Sequence, residues 1–191
     1  HATFSTYLIA DGGEGTLDAF LVDPRAKRVT VKAHDPLLRE INASYATIED
    51  KAIIALNEAS GLTLLNDKER NPLYTSTLGT GELALHALKN GYRDITLAIG
   101  GSATNDGGIG AMHALGIRFL DKEKRELLPV GQSLSKIKEI DLTHLAPEAR
   151  DATFTVMCDV TNPLLGKNGA TYVYGPQKGA TAEILCELES G

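Results

Sequence analysis

Residues 94–116 read DITLAIGGSATNDGGIGAMHALG, and the character of the chain changes twice within them. Ile95, Leu97, Ala98 and Ile99 make an apolar run of strand length. Gly100 to Gly108 follow, with four glycines and four small polar residues in nine positions. Beyond them Ile109, Met112 and Leu115 recur at helical spacing. The stretch therefore predicts strand, glycine-rich turn, helix. Glycine has no Cβ, so such a turn lets backbone approach a ligand closely. Asn105 or Asp106 is placed to cap the helix, with free amides left to face an anion. A tight strand-to-helix connection that binds nothing has the same composition. The turn is no Walker A loop, since no Gly-Lys-Ser/Thr follows, and it contains no GxGxxG.

Upstream, Leu83, Leu85, Ala87 and Leu88 mark a helix with Thr80 as its cap and Gly91 at its end. Glu82 lies in its first turn, where the helix dipole favours a carboxylate. Before it, residues 28–33 and 41–48 alternate apolar and polar, 52–56 form a third strand candidate, and short links join the three, which predicts an antiparallel meander. Glu58 and Ser60, just past the third of these strands, are site candidates or parts of a capped loop. A buried strand is expected at 6–10, then the turn Asp11-Gly12-Gly13-Glu14-Gly15 and a helix over 16–22. Carboxylates in such a turn serve either as a cap with a solvated neighbour or as Mg²⁺ ligands.

Downstream, residues 117–120 read as a short strand, 121–126 as a solvated turn and 134–145 as a surface segment. A buried strand is expected at 154–157, ending in Cys158-Asp159. Gly175, Gly179 and Lys178 belong to a glycine-punctuated loop, and a helix is expected from Thr181.

The 191 residues are 42% hydrophobic and 23% charged, the balance of a soluble globular protein with one domain or two small ones. A net charge of −6 argues against nucleic acid or an acidic membrane surface as the main partner. No apolar run has the length of a membrane span, and the first ten residues carry no basic leader. Cys158 and Cys186 are too few for a disulfide framework or a zinc site, which leads to the expectation of a reducing, cytoplasmic setting. The start at His1 and the stop inside a helical pattern suggest a piece of a longer polypeptide.

Five blocks stand in order: ADGGEGT (10–16), GTGEL (79–83), IGGSATNDGG (99–108), CDVTNPLLGKNGA (158–170) and GPQKGA (175–180). Together they resemble the bacterial glycerate kinase family, which uses ATP to phosphorylate D-glycerate. Each block alone is weak, but five in order across nearly the whole chain are specific. The resemblance implies two α/β domains, a Rossmann-like one and one inserted in it. Residues 1–24 are then a flank of the Rossmann-like domain. Residues 25–191 are the inserted domain, a mixed-sheet α/β unit with an antiparallel meander. The family's Asp-Ser-Tyr/Phe-Lys-Gly-like and Gly-Glu-Gly-Arg-like blocks are missing, so the remaining half of the full-length chain is an expected partner and the piece is expected to be inactive alone. D-glycerate, ATP and Mg²⁺ are the implied ligands, and 2-phosphoglycerate is the favoured product.

The resemblance does not distribute roles among residues, so these come from chemistry. Phosphorylating an alcohol needs a base, Mg²⁺ across the phosphates and donors for the transferred charge. Asp159, at a strand end, is the first choice for base or metal ligand, and an Asx-turn aspartate is its plain alternative. Lys178 is assigned to neutralise phosphate or the substrate carboxylate. Gly100, Gly101, Ser102, Thr104, Asn105, Asp106, Gly107 and Asn162 are the substrate or phosphate candidates. Asp11 and Glu14 are the Mg²⁺ candidates. The histidines match no metal spacing. The rival reading is a non-catalytic regulatory domain that binds a small carboxylate or a nucleotide. Acidic residues at strand ends favour catalysis, because an anion sensor gains little from carboxylates beside its anion.

Overall fold

The computed structural model describes residues 3–4 and 8–191. After a short helix α1 (Thr16–Phe20), three strands run β1 (Lys27–His34), β2 (Glu40–Ile48) and β3 (Lys51–Ala55). A single helical turn α2 (Asn57–Ser60) and the helix α3 (Leu78–Lys89) lead to β4 (Asp94–Ala98). Next come α4 (Ile109–Ala114), β5 (Arg118–Leu120), β6 (Glu139–Asp141), α5 (Pro147–Arg150) and β7 (Thr153–Met157). The chain ends with α6 (Ala170–Tyr174) and α7 (Ala182–Glu189).

Five strands form one mixed sheet in the order β1-β2-β3-β4-β7, and β5 and β6 pair separately. β1, β2 and β3 are antiparallel, as a meander requires. β3, β4 and β7 are parallel. The third meander strand is thus also the first strand of a βαβ unit with α3 as its crossover, a double role that the short links of the meander conceal.

The sheet is packed on both faces because its central strand is apolar and buried from Ala52 to Ala55. Ile54 of β3 joins Tyr45, Leu83, Leu88 and Ile95 in a core under α3. Ile53, its neighbour, points to the other face and packs with Leu17, Ala46, Ala55 and Ala98 under α1. Side chains alternate across a strand, so two adjacent isoleucines serve two cores. Each fully buried Leu or Ile contributes about 1.5–3 kcal/mol. The Tyr45 hydroxyl at the core's rim meets His86 Nδ1 at 3.0 Å, which satisfies its polar end.

Several expectations need correction. The strand expected at 6–10 lies partly outside the described residues. Residues 8–10 form no strand, and Leu8 and Ile9 are exposed. α3 begins at Leu78, so Thr80 sits inside its first turn, where its hydroxyl meets Ser60 Oγ at 2.8 Å rather than capping. β7 is not buried: Val156 is 53% exposed, because β7 is an edge strand with a partner on one side only. The helix from Thr181 forms as expected, with Thr181 Oγ1 accepting from the Ile184 amide at 3.4 Å.

Candidate functional site

The parallel strands end together at Ala55, Ala98 and Met157, and open α/β sheets bind ligands outside the carboxyl ends of their strands. A cleft of about 750 Å³ opens there, within the range of small-molecule sites. Its floor is the turn after β4, one wall the turn at 11–14, and the other the segment after β7 with Tyr174 and Lys178.

Floor and wall fit because both are glycine. The Gly100 amide donates to Gly12 O at 3.0 Å. A Cβ on Gly100 would lie 2.6 Å from the Gly13 nitrogen, a clash that only backbone movement relieves. Gly100 is therefore required by the neighbouring turn, whereas the sequence suggested that a ligand required it. Gly101 follows with a φ of +71°, which suits glycine. The amides of Gly101 and Ser102 donate to no described residue.

Lys178 is the central cation. It ends a single 3₁₀ turn (Pro176–Lys178), and its side chain enters the protein rather than solvent. Nζ donates to Ser102 Oγ at 2.8 Å and to Thr104 O at 2.5 Å. Burial pushes its pKa down to about 8, against the opposing attraction of Asp106. Its side chain is only 8% exposed and is aimed by two acceptors.

Asp159 is exposed and lines the same cleft. Hydrogen bonds around it run from Cys158 Sγ to Val160 O and from Asn162 Nδ2 to Asn168 O. They leave its carboxylate without a partner among the described residues, so no Asx turn occupies it. Asn162 also reaches the cleft, but both ends of its amide are used: Oδ1 accepts from the Tyr174 hydroxyl at 2.6 Å. Asp11 and Glu14 line the opposite wall, Asp11 Oδ1 accepting from the Gly13 amide at 3.1 Å. Among the described residues no three His, Cys, Asp or Glu side chains converge as a metal cage.

The second half of the glycine-rich turn goes elsewhere. Thr104 is buried, and only its carbonyl serves the cleft, through Lys178. Asn105 donates to Thr171 Oγ1 at 3.3 Å, tying the turn to α6. Asp106 is 2% exposed. Its Oδ2 accepts from the Thr77 amide, the Thr77 hydroxyl and the Gly110 amide, and its Oδ1 from the Gly108 amide. Burial pushes this carboxyl up, and those bonds oppose the shift. Asp106 is thus a clip between the starts of α3 and α4, with no acceptor left for a ligand. Nor does Asn105 or Asp106 occupy the N-cap position of α4; Gly108 does, in the left-handed region. Gly107 faces Leu134 rather than the cleft.

Glu82, from the GTGEL block, holds His34: its carboxylate accepts from the His34 amide and meets Nδ1, both at 2.8 Å. Glu58 and Ser60 stay outside the cleft lining. Tyr174 and Gln177, which do line it, were not singled out from the sequence, although both lie in or beside the quoted GPQKGA block. A hydroxyl on a short helix carries no sequence signal of its own.

A cleft at the carboxyl ends of parallel strands, with paired glycine turns and a buried, oriented lysine, defines an α/β protein with one polar, cation-bearing cleft. Residues 1–191 match the family model described as "Glycerate kinase family", and the chain belongs to that family. It is 44% identical over 194 residues to the glycerate kinase of Halalkalibacterium halodurans, covering 99% of this chain and 50% of that protein. It is 42% identical over 191 residues to the glycerate 2-kinase of Escherichia coli, with 99% and 50% covered. The crystal structure of a glycerate kinase 2 from Salmonella typhimurium LT2 superposes with a TM-score of 0.90 at 43% identity, over 95% of this chain and 49% of that one. The chain spans about half the length of the curated relatives it matches. No helix of the described residues is long and apolar enough to cross a membrane.

Proposed function

We propose that the polypeptide carrying this sequence phosphorylates D-glycerate with ATP, giving 2-phosphoglycerate, in the cytoplasm. The observation that carries the reading is a partnerless carboxylate, Asp159, sharing one cleft with the buried Lys178. Family membership supplies the substrate class. Asp159 takes the proton from the glycerate hydroxyl as that oxygen attacks phosphorus, the role of a positioned base. Lys178, Ser102 and the amides of Gly101 and Ser102 oppose the charge on the phosphoryl group or on the substrate carboxylate.

The cleft suits Mg²⁺ in the manner of a phosphate-bridging ion, which takes one or two protein carboxylates and leaves the other positions to phosphate and water. Asp11 and Glu14, which line one wall of the cleft, are the residues to hold it. Bound there, the ion would neutralise phosphate charge. Residues 1–24 act as a flank of a Rossmann-like domain into which 25–191 is inserted, and the remaining half of the polypeptide completes the nucleotide site. The 191 residues alone are then inactive.

The regulatory reading is the weaker one, because an anion sensor has no use for a free carboxylate beside its anion. The test is ³¹P NMR of the intact polypeptide with D-glycerate, ATP and Mg²⁺. A 2-phosphoglycerate resonance is expected. Binding of both ligands without any phosphorylated product would establish the regulatory alternative instead.

A further inference from the structure

Ser102 and Lys178 have a capacity that anion binding does not use. We propose that Ser102 is a nucleophile served by Lys178 as its base, and that the cleft thereby hydrolyses activated esters of small carboxylic acids through an acyl-Ser102 intermediate.

The geometry meets the requirements of a serine–lysine pair. Lys178 Nζ lies 2.8 Å from Ser102 Oγ, and the bond to Thr104 O at 2.5 Å fixes the amine's direction. Lys178 is buried, and its pKa of about 8 leaves a neutral fraction in mildly alkaline solution, where only the neutral amine can accept a proton. The charged groups around it are Asp106 behind the turn and Asp11, Glu14 and Asp159 on the cleft lining. The Ser102 amide and its neighbour at Gly101 donate to no described residue. The nucleophile's own amide plus one nearby is the donor set that stabilises an oxyanion. Ser102 itself lines the cleft, so an electrophile can reach Oγ.

The steps balance without a further reactant. Lys178 takes the hydroxyl proton while Oγ bonds to the carbonyl carbon. The carbon–oxygen bond to the leaving group then breaks, and the leaving oxygen takes the proton from Lys178. Water, deprotonated by the same amine, attacks the acyl carbon, the Oγ–carbon bond breaks, and Oγ takes the proton back from Lys178, which restores both side chains and releases the acid. Neither ATP, Mg²⁺ nor glycerate enters, so the proposal stands apart from the kinase reading.

The experiment treats the intact polypeptide with a fluorophosphonate probe, which Oγ attacks at phosphorus with loss of fluoride, and follows p-nitrophenyl acetate hydrolysis in parallel. One equivalent of label is expected, mapped to the peptide holding Ser102, at a rate that rises with pH through about 8. Ser102→Ala should lose the label and the hydrolysis. Lys178→Met should slow labelling by about 10²-fold or more, while Lys124→Ala on the remote β5–β6 side leaves the rate unchanged. Since Lys178 is buried, its variant is first checked for a native unfolding transition; if it does not fold, the pH dependence of wild-type labelling decides. No label on wild type, label or hydrolysis retained in Ser102→Ala, or a rate that is flat with pH overturns the proposal. Glycerate phosphorylation in the same preparations is a separate readout, and its presence without labelling sinks the nucleophile while sparing the kinase.

Discussion

Two halves of one glycine-rich turn, 100–103 and 104–108, have nearly the same composition and opposite fates. In the first half Gly100, Gly101 and Ser102 line the cleft and Ala103 is buried behind them, with the Gly101 and Ser102 amides unused and a lysine bound to the Ser102 hydroxyl. The second half turns inward and spends its polar groups on the fold, above all Asp106 with its donors from Thr77, Gly108 and Gly110. Asp106 and Asp159 carry the same lesson at a single residue type. A carboxylate that already accepts several hydrogen bonds has nothing left for a substrate, and one without partners does.

The sharpest way to break this comparison is to neutralise both aspartates. Asp159→Asn in the intact polypeptide should lower kcat by about 10²-fold or more with little change in KM or in the unfolding midpoint. Asp106→Asn should do the reverse. Its amide nitrogen would confront donors with a donor, costing about 3 kcal/mol in denaturant unfolding while the folded fraction keeps its KM. Near-native kcat in Asp159→Asn would remove the base from that residue and move it to Asp11 or Glu14.

The buried lysine sharpens the comparison through pH. Its pKa is lower in the folded chain, about 8 against 10.5, so the unfolded state binds more protons between those values. Stability on Lys178's account therefore rises with pH across that window and is lowest below it. Relative to Lys178→Met, the wild type should gain about 2–3 kcal/mol between pH 8 and 10.5 in paired denaturant titrations. Parallel curves would mean that the amine is solvated.

Gly100→Ala tests the contact between the two turns. The added methyl meets backbone at Gly13, so about 1–3 kcal/mol of stability should be lost, with weaker ligand binding. Lys124→Ala is the baseline. Its 3.6 Å ion pair with Glu139 is exposed, and the unfolding midpoint should move by less than the equivalent of about 0.5 kcal/mol.

Much of this was legible in the residues. The meander, the strand–turn–helix at 94–116 and the family follow from alternation, glycine clusters and the order of five blocks. Lys178, Ser102, Asp159, Asp11 and Glu14 do meet on one cleft. Burial was harder to read. Val156 and Phe154 are as apolar as any core residue, yet an edge strand leaves them exposed. Asp106 and Ser102 sit four residues apart in one polar run, and only tertiary packing against Thr77 separates their roles. Lys178 was legible as a cation for the site, but nothing local signals that a glycine-flanked turn drives its side chain inward.

The bond from Lys178 to Ser102 spans 76 residues of sequence. The meander, by contrast, closes through neighbouring strands and short links. Local contacts form early, and distant ones wait until the entropy of closing long loops has been overcome. On a ribosome, the sheet from β1 to β4 can therefore assemble while the lysine is still unmade. The cleft is the last part of this chain to come into being.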